Sequence, residues 1–153
     1  MRIRLVKIDE VQFLICIKHE VWGSNRARFR SWKSGEFVAF IVDKRIGGIA
    51  EIVGSTFEYW DPIWDNGIFP FRVPIKFFHV SLPENRLAVE DNINNILMAK
   101  YGNKYGHVIL NQNLLSQEES DSIKELVSKT RNDFLEVSTN IDFYINKYKN
   151  ITK

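Results

Sequence analysis

The chain has 153 residues, a formal net charge of +2 and a single cysteine. That is the length of one domain, which buries roughly two-thirds of the surface of its unfolded chain and so needs neither metal nor disulfide to hold a core. The charge is too small to argue for a nucleic-acid partner by itself, and the basic–apolar alternation of residues 1–7 offers neither a signal peptide nor a membrane span.

In chain order, residues 3–8 alternate apolar Ile3 and Leu5 with Arg4 and Lys7, the pattern of a half-buried strand. The apolar run from Phe13 to Ile17 fits a strand by propensity, but Asp9 as an N-cap, Gln12 at the capping-box position and Val11, Leu14, Ile15 and Lys18 at helical spacing predict a helix. Within it Cys16 reads as a small buried hydrophobe of a reducing compartment, for which the cytoplasm is the expected address. Residues 37–42 and 46–53 read as the two arms of a hairpin. Gly47-Gly48 in the second arm predicts a bulge, a barrel corner, or close approach of another group to the backbone.

Residues 55–70 form a long segment rich in turn formers yet loaded with Tyr59, Trp60, Trp64 and Phe69; long loops of this kind are functional or disordered. Residues 71–80 predict a strand, with Pro74 placing it at an edge or a bulge. A helix is expected near residues 93–100, a short strand at 107–110, and a helix opened by the Ser116/Glu119 capping box through about Val127. Residues 130–153 form an Asn- and Lys-rich tail, expected to be helical, that either docks on its own domain or mediates self-association. Short separated strands with flanking helices point to an α+β domain on a small, curved, mixed sheet, with residues 1–129 as the domain and 130–153 as the tail.

Between these elements the order of local motifs is distinctive. Val21-Trp22-Gly23-Ser24 is followed by a basic stretch, a Gly35-Glu36 turn, the strand at residues 37–42, then Ile46-Gly47-Gly48-Ile49-Ala50-Glu51, the aromatic loop and Phe69-Pro70-Phe71-Arg72-Val73. This ordered set resembles the EVE domain, and more distantly the YTH domain, both of the PUA-like superfamily. The resemblance runs from Ile3 to about Val127 and implies a pseudo-barrel whose surface pocket receives a flipped base, often a methylated one, with no catalysis and no cofactor.

It also implies which residues bind. Trp22 matches the first wall of an aromatic cage, with Gly23 and Ser24 beside it to read the base edge. The second wall comes from the loop, where Trp60 and Trp64 both qualify and Tyr59 and Phe69 are weaker candidates. Restoring the stacking lost by a flipped base is worth roughly 1–3 kcal/mol per base, and a methyl on the base adds apolar contact with the walls. Trp32, approaching the strand at residues 37–42, is assigned to the core. Arg26, Arg28 and Arg30 alternate, so an extended backbone would place them on one side, with Lys33 nearby, to follow the phosphates of DNA or RNA. Arg72 is expected to pair with a carboxylate such as Glu51, and His19, His79 and His107 to be surface or internally satisfied residues.

Other readings stay open. Glu51 with Lys33 or Lys44 could imitate the site of PUA-like amidohydrolases of modified nucleosides, although no metal, phosphate-loop or nucleophile-elbow motif is present. The PUA branch that binds structured tRNA or rRNA is a second alternative, and a protein-interaction module using the aromatic loop is a third.

Overall fold

The structure is a computed structural model describing residues 1–151; the Arg28 side chain, one of those expected along a phosphate backbone, lies outside the described residues. The strands are β1 (Ile3–Lys7), β2 (Val21–Ser24), β3 (Phe37–Val42), β4 (Arg45–Ile52), β5 (Phe57–Glu58), β6 (Phe71–Val80) and β7 (Leu87–Ala88). The helices are α1 (Glu10–His19), α2 (Asn94–Tyr101), α3 (Tyr105–Leu110), α4 (Gln117–Ser128), α5 (Phe134–Thr139) and α6 (Ile141–Ile151).

Local chemistry accounts for several boundaries. The Asp9 carboxylate accepts the Gln12 N–H at 2.8 Å, and this cap, with α1 ending at Glu20 in the left-handed region, makes the run from Phe13 to Ile17 a helix rather than a strand. At Ser116 both halves of the capping box form and start α4.

The main path of the sheet runs β1-β3-β4-β6-β2, with β5 joined to β6 and β7 to β4. β1 lies parallel to β3 and the other pairs are antiparallel, giving a curled, mixed sheet with flanking helices, the α+β architecture that the element order predicts. Both faces are covered, which is why β3 is apolar throughout. Val38, Phe40 and Val42 join Phe13, Trp22, Trp64 and the α6 residues Tyr144 and Ile145 in one cluster. Ala39 and Ile41 join Leu97 of α2, Val108 and Ile109 of α3, and Ile123 and Val127 of α4 in the other.

Gly47-Gly48 serves two of the predicted purposes, the bulge and the close approach. The β3–β4 register passes from Phe40↔Gly48 to Ile41↔Ile46, leaving Gly47 as the bulged residue. A Cβ on Gly47 would stand 3.0 Å from the Phe13 ring, and one on Gly48 would stand 2.6 Å from the His79 carbonyl oxygen.

Three expectations are corrected. β6 is not an edge strand and its bulge does not fall at Pro74. Residues 71–74 pair with β2 while 75–80 pair with β4, and Pro74 lies at the changeover, one residue past the last β4 pair, Ile52↔Ile75, where the missing N–H costs least. Residues 107–110 are helical, within α3: a short apolar run has no readable period, and the fold buries the neighbours Val108 and Ile109 together while exposing Leu110, a helical arrangement rather than an alternating one. Arg26, Arg28 and Arg30 do not share one extended backbone, because residues 27–31 form a 3₁₀ helix, whose turn of about 120° per residue scatters alternate positions.

The tail docks on its own domain. Val137, Tyr144 and Ile145 are buried in the first cluster, the Lys18 ammonium meets the Asp142 carboxylate at 2.7 Å, and buried Asp133 accepts the Leu82 N–H and the Asn85 amide. His79 is internally satisfied, its Nε2 lying 3.0 Å from Thr130 Oγ1 and 3.2 Å from Ser81 Oγ. Burial lowers its pKa below the ordinary 6.5, with Asp133 opposing. The unfolded chain then binds the proton more readily, so the stability linked to this ring is complete above about pH 6.5 and is lost as pH falls through the folded-state value. Urea midpoints should therefore drop from pH 7.5 to pH 5, and less so in His79→Gln; an equal drop in both proteins would contradict this assignment. Part of the slope persists in the variant, because burial also lowers His19.

Candidate functional site

The site is assembled where β2 meets the 55–70 loop. β2 is antiparallel to the first half of β6, with Trp22 opposite Val73 and Ser24 opposite Phe71. The loop folds back over β2 and encloses a cavity of about 280 Å³ lined by Trp22, Gly23, Ser24, Asn25 and Arg26 on one side, Trp64 and Phe69 on another, Phe29 from the 3₁₀ turn, and Lys7, Ile8, Gln12, Cys16 and Gln112 around the remainder. Its size suits one planar heterocycle, below the roughly 300–1,000 Å³ of clefts that take drug-sized ligands.

Four of the five residues expected in a base pocket therefore converge. Trp60 does not: it is 59% exposed and outside the cavity lining, whereas Trp64 is 5% exposed and within it. Phe69, the weaker candidate, is a wall residue, edge-on to Trp64 at 5.5 Å. It adopts φ 48, in the left-handed region, which is uncommon for a bulky side chain and persists only where surrounding contacts hold it.

Those contacts are visible. The buried Arg72 guanidinium donates to the carbonyls of Phe69 at 3.3 Å, Ile68 at 3.1 Å and Asp61, and lies 5.3 Å from the ring centres of both Tyr59 and Trp64. Arg72 thus braces the loop through backbone carbonyls and does not pair with Glu51, which lies opposite Phe37 and Lys76 in the sheet. The tail adds a tether, Lys149 to Asp65 at 2.7 Å, next to Trp64 in the chain.

Gly23 makes this closure possible. A Cβ there would fall 2.7 Å from the Phe69 carbonyl oxygen and 2.8 Å from the Trp64 ring, closer than non-bonded atoms approach. Gly23→Ala should push the loop outward and lower the thermal melting midpoint with little change in helix content; circular-dichroism melts check it, and an unchanged midpoint would show that the loop need not close.

Trp22 has a double character. It lines the cavity but is only 7% exposed, because Trp32 stacks on it at 4.9 Å with 7° between the planes and Phe29 meets it edge-on at 4.6 Å. Trp32 is a core residue, as its position predicts, and the Arg4 guanidinium lies 4.9 Å from its ring centre. Trp32 thus covers one face of Trp22 from outside the cavity lining.

The polar groups lie at the mouth. Ser24 Oγ accepts the Arg26 N–H at 3.1 Å, which orients it and leaves the hydroxyl hydrogen as its donor. Lys7 and Arg26 are exposed cations on the lining. Arg30 points elsewhere, 3.9 Å from Glu58 and 5.2 Å from the centre of the Phe71 ring, and Lys33 does not line the cavity. Of the proposed phosphate track, Arg26 alone is at this mouth among the described side chains. At the floor, burial pushes the Cys16 thiol above its usual range, opposed by a hydrogen bond with the Trp64 side chain, so the sulfur is an apolar contact rather than a nucleophile at neutral pH.

Lys7, Gln12, Cys16 and Phe29 were missed from sequence. Gln12 and Cys16 are one helical turn apart and share a face of α1, a relation the spacing does contain. What it lacks is the direction of that face. Of the two lysines weighed with Glu51 for an amidohydrolase-like set, Lys44 belongs to the β3–β4 turn, at the opposite end of β4, while Lys33 precedes the Gly35-Glu36 turn that bonds to Ile52. Among the described residues, no group of three His, Cys, Asp or Glu side chains is placed to hold a metal ion.

No protein-family model matches the sequence, and no curated protein does. Solved structures do match the fold. A YTH domain-containing protein mmi1 and RNA complex superimposes with a TM-score of 0.62 at 16% identity, covering 82% of this chain and 80% of the other. The YTH domain of the Zygosaccharomyces rouxii MRB1 protein, in complex with N6-methyladenosine RNA, gives 0.59 at 15% identity over 86% and 89% of the two chains. The Toxoplasma CPSF4 YTH domain, bound to an m6A-modified RNA, gives 0.61 at 11% identity over 88% and 95%. The chain therefore has the fold of the YTH domains.

Proposed function

We propose that this chain is a nucleic-acid-binding module, not a catalyst, that takes one methylated or otherwise modified base into the pocket between β2 and the 55–70 loop. The observation that carries this reading is the convergence of Trp22, Gly23 and Ser24 with Trp64 and Phe69 around a cavity sized for a single heterocycle. Within the shared fold, the Val21-Trp22-Gly23-Ser24 step and the Phe69-Pro70-Phe71-Arg72-Val73 element support kinship with the EVE branch.

The chemistry follows from the walls. A base leaving its stack exchanges neighbouring bases for Trp64, Phe69 and the Trp22 surface backed by Trp32, and a methyl group on the base enlarges that apolar contact. The Ser24 hydroxyl and nearby backbone read its edge, while Lys7 and Arg26 meet the flanking phosphates. RNA is the favoured polymer, supported by the bound RNA in the structures that share the fold; contact with a 2′-hydroxyl would enforce that choice.

The test is tryptophan fluorescence titration with short single-stranded RNA and DNA carrying adenine, N6-methyladenine, cytosine or 5-methylcytosine, at low and moderate salt. Quenching that depends on the modification and weakens as salt rises is the expected result. The absence of a response to every oligonucleotide would refute the proposal.

A further inference from the structure

The two ends of the sheet path, β1 and β2, do not pair with each other. The base pocket lies in the gap between them: Lys7 and Ile8 line it at the end of β1, and residues 22–26 line it along and beyond β2. Paired strands are held about 4.8 Å apart by their hydrogen bonds. Across this gap there is no such ladder, so side chains set the position of the Trp22 wall.

Arg4 of β1 is the residue that reaches across. Its guanidinium lies over the Trp32 ring, 4.9 Å from the ring centre, and Trp32 is the ring stacked on Trp22. One terminal nitrogen donates to Glu36 Oε1 at 3.3 Å, and the same oxygen accepts the N–H of Lys33, next to Trp32 in the chain, at 2.9 Å. The other donates to the Gln112 carbonyl oxygen at 3.0 Å. Gln112 also lines the pocket, with φ 55 in the left-handed region, a conformation that surrounding contacts must hold. The Arg4 and Glu36 side chains are only 14% and 16% exposed, so salt screens their contacts little. A planar fork serves these three partners at once, as a compact ammonium cannot.

We propose that Arg4 is a positioning residue of the base pocket. It stands outside the lining and acts through others, fixing the Trp22 wall by way of Trp32 and the Gln112 rim by way of its carbonyl. The assignment rests on the base-pocket reading above. On the β1–β2 side Arg4 does what Arg72 does for the 55–70 loop.

Wild type, Arg4→Met and Arg4→Lys are titrated with a short single-stranded RNA carrying one adenine or one N6-methyladenine. The quantity read is the ratio of the two affinities, because partial unfolding lowers both by the same factor and leaves their ratio alone. Arg4→Met keeps the length and apolar bulk of the side chain without its fork, and should cut the preference for the methylated RNA about fourfold, the factor that burial of one methyl-sized group supplies. Arg4→Lys, the milder change, should lose part of the same preference. In the ligand-free proteins the nitrogen-15 indole N–H signal of Trp22 should shift or split in both variants, while that of Trp60 stays in place. An unchanged ratio in Arg4→Met, or an unmoved Trp22 signal in both variants, would overturn the assignment while leaving the base pocket standing. Equal binding of the two RNAs by wild type would refute the base-pocket reading instead, and the ligand-free spectra would then decide by themselves whether Arg4 holds Trp22.

Discussion

Trp22→Ala should lower the stability of the fold by about 3–5 kcal/mol, the range for removing a large aromatic side chain from a core. Its indole is stacked on Trp32 and capped edge-on by Phe29, so truncation leaves a cavity between β2 and the 3₁₀ turn and strips one ring contact from each of those two, which keep only their own edge-on pair. Domains of this size hold only about 5–15 kcal/mol in total, and the variant should be partly unfolded under mild conditions. The resemblance alone reads Trp22 as a cage wall; the stack gives it a structural role as well. Trp22→Phe should retain part of the stack and lose much less. Urea midpoints of the three proteins check the ranking, and a Trp22→Ala midpoint equal to wild type would mean that the stack carries no stability.

Trp64→Ala should abolish detectable preference for a modified base and weaken binding at least tenfold, in keeping with roughly 1–3 kcal/mol of stacking per base. It removes the wall that the Arg72 guanidinium and Phe69 hold in place, and it opens the floor of the pocket at Cys16. Because Trp64 is also buried, binding must be compared at a temperature where a melt shows both proteins folded. Trp60→Ala is the control: exposed and outside the cavity lining, it should bind as wild type does. A larger loss from Trp60 than from Trp64 would reverse the assignment of the second wall.

The elements that sequence made legible are those set by short-range chemistry. Asp9 and Ser116 announce α1 and α4 because a cap is a local hydrogen bond, and Gly47-Gly48 announces a bulge because the backbone there admits no side chain. The misread elements depend on distant partners. Residues 107–110 carry no period of their own, and their helix follows from packing Val108 and Ile109 against the second face of the sheet. Pro74 suggests an edge to anyone reading β6 alone; the exchange of β2 for β4 at that point is a property of three strands.

The site was legible to the same degree. Trp22, Gly23 and Ser24 are contiguous and could be placed together, but the choice between Trp60 and Trp64 depends on which way the loop folds. That direction is decided by Arg72 through backbone carbonyls, acceptors that every residue possesses and that leave no mark in a sequence. The three arginines after Trp22 misled for a related reason: alternation implies a shared side only in an extended chain, and residues 27–31 instead coil against Trp22 through Phe29.

The central claim, that a modified base enters between Trp64 and the Trp22 wall, is tested most directly by recording the four tryptophan indole N–H signals by nitrogen-15 NMR while N6-methyladenosine RNA is added. The Trp64 and Trp22 signals should shift together and saturate, Trp32 should follow weakly through the stack, and Trp60 should stay in place. Movement of Trp60 alone, or saturation of binding with the Trp22 and Trp64 signals unmoved, would contradict it.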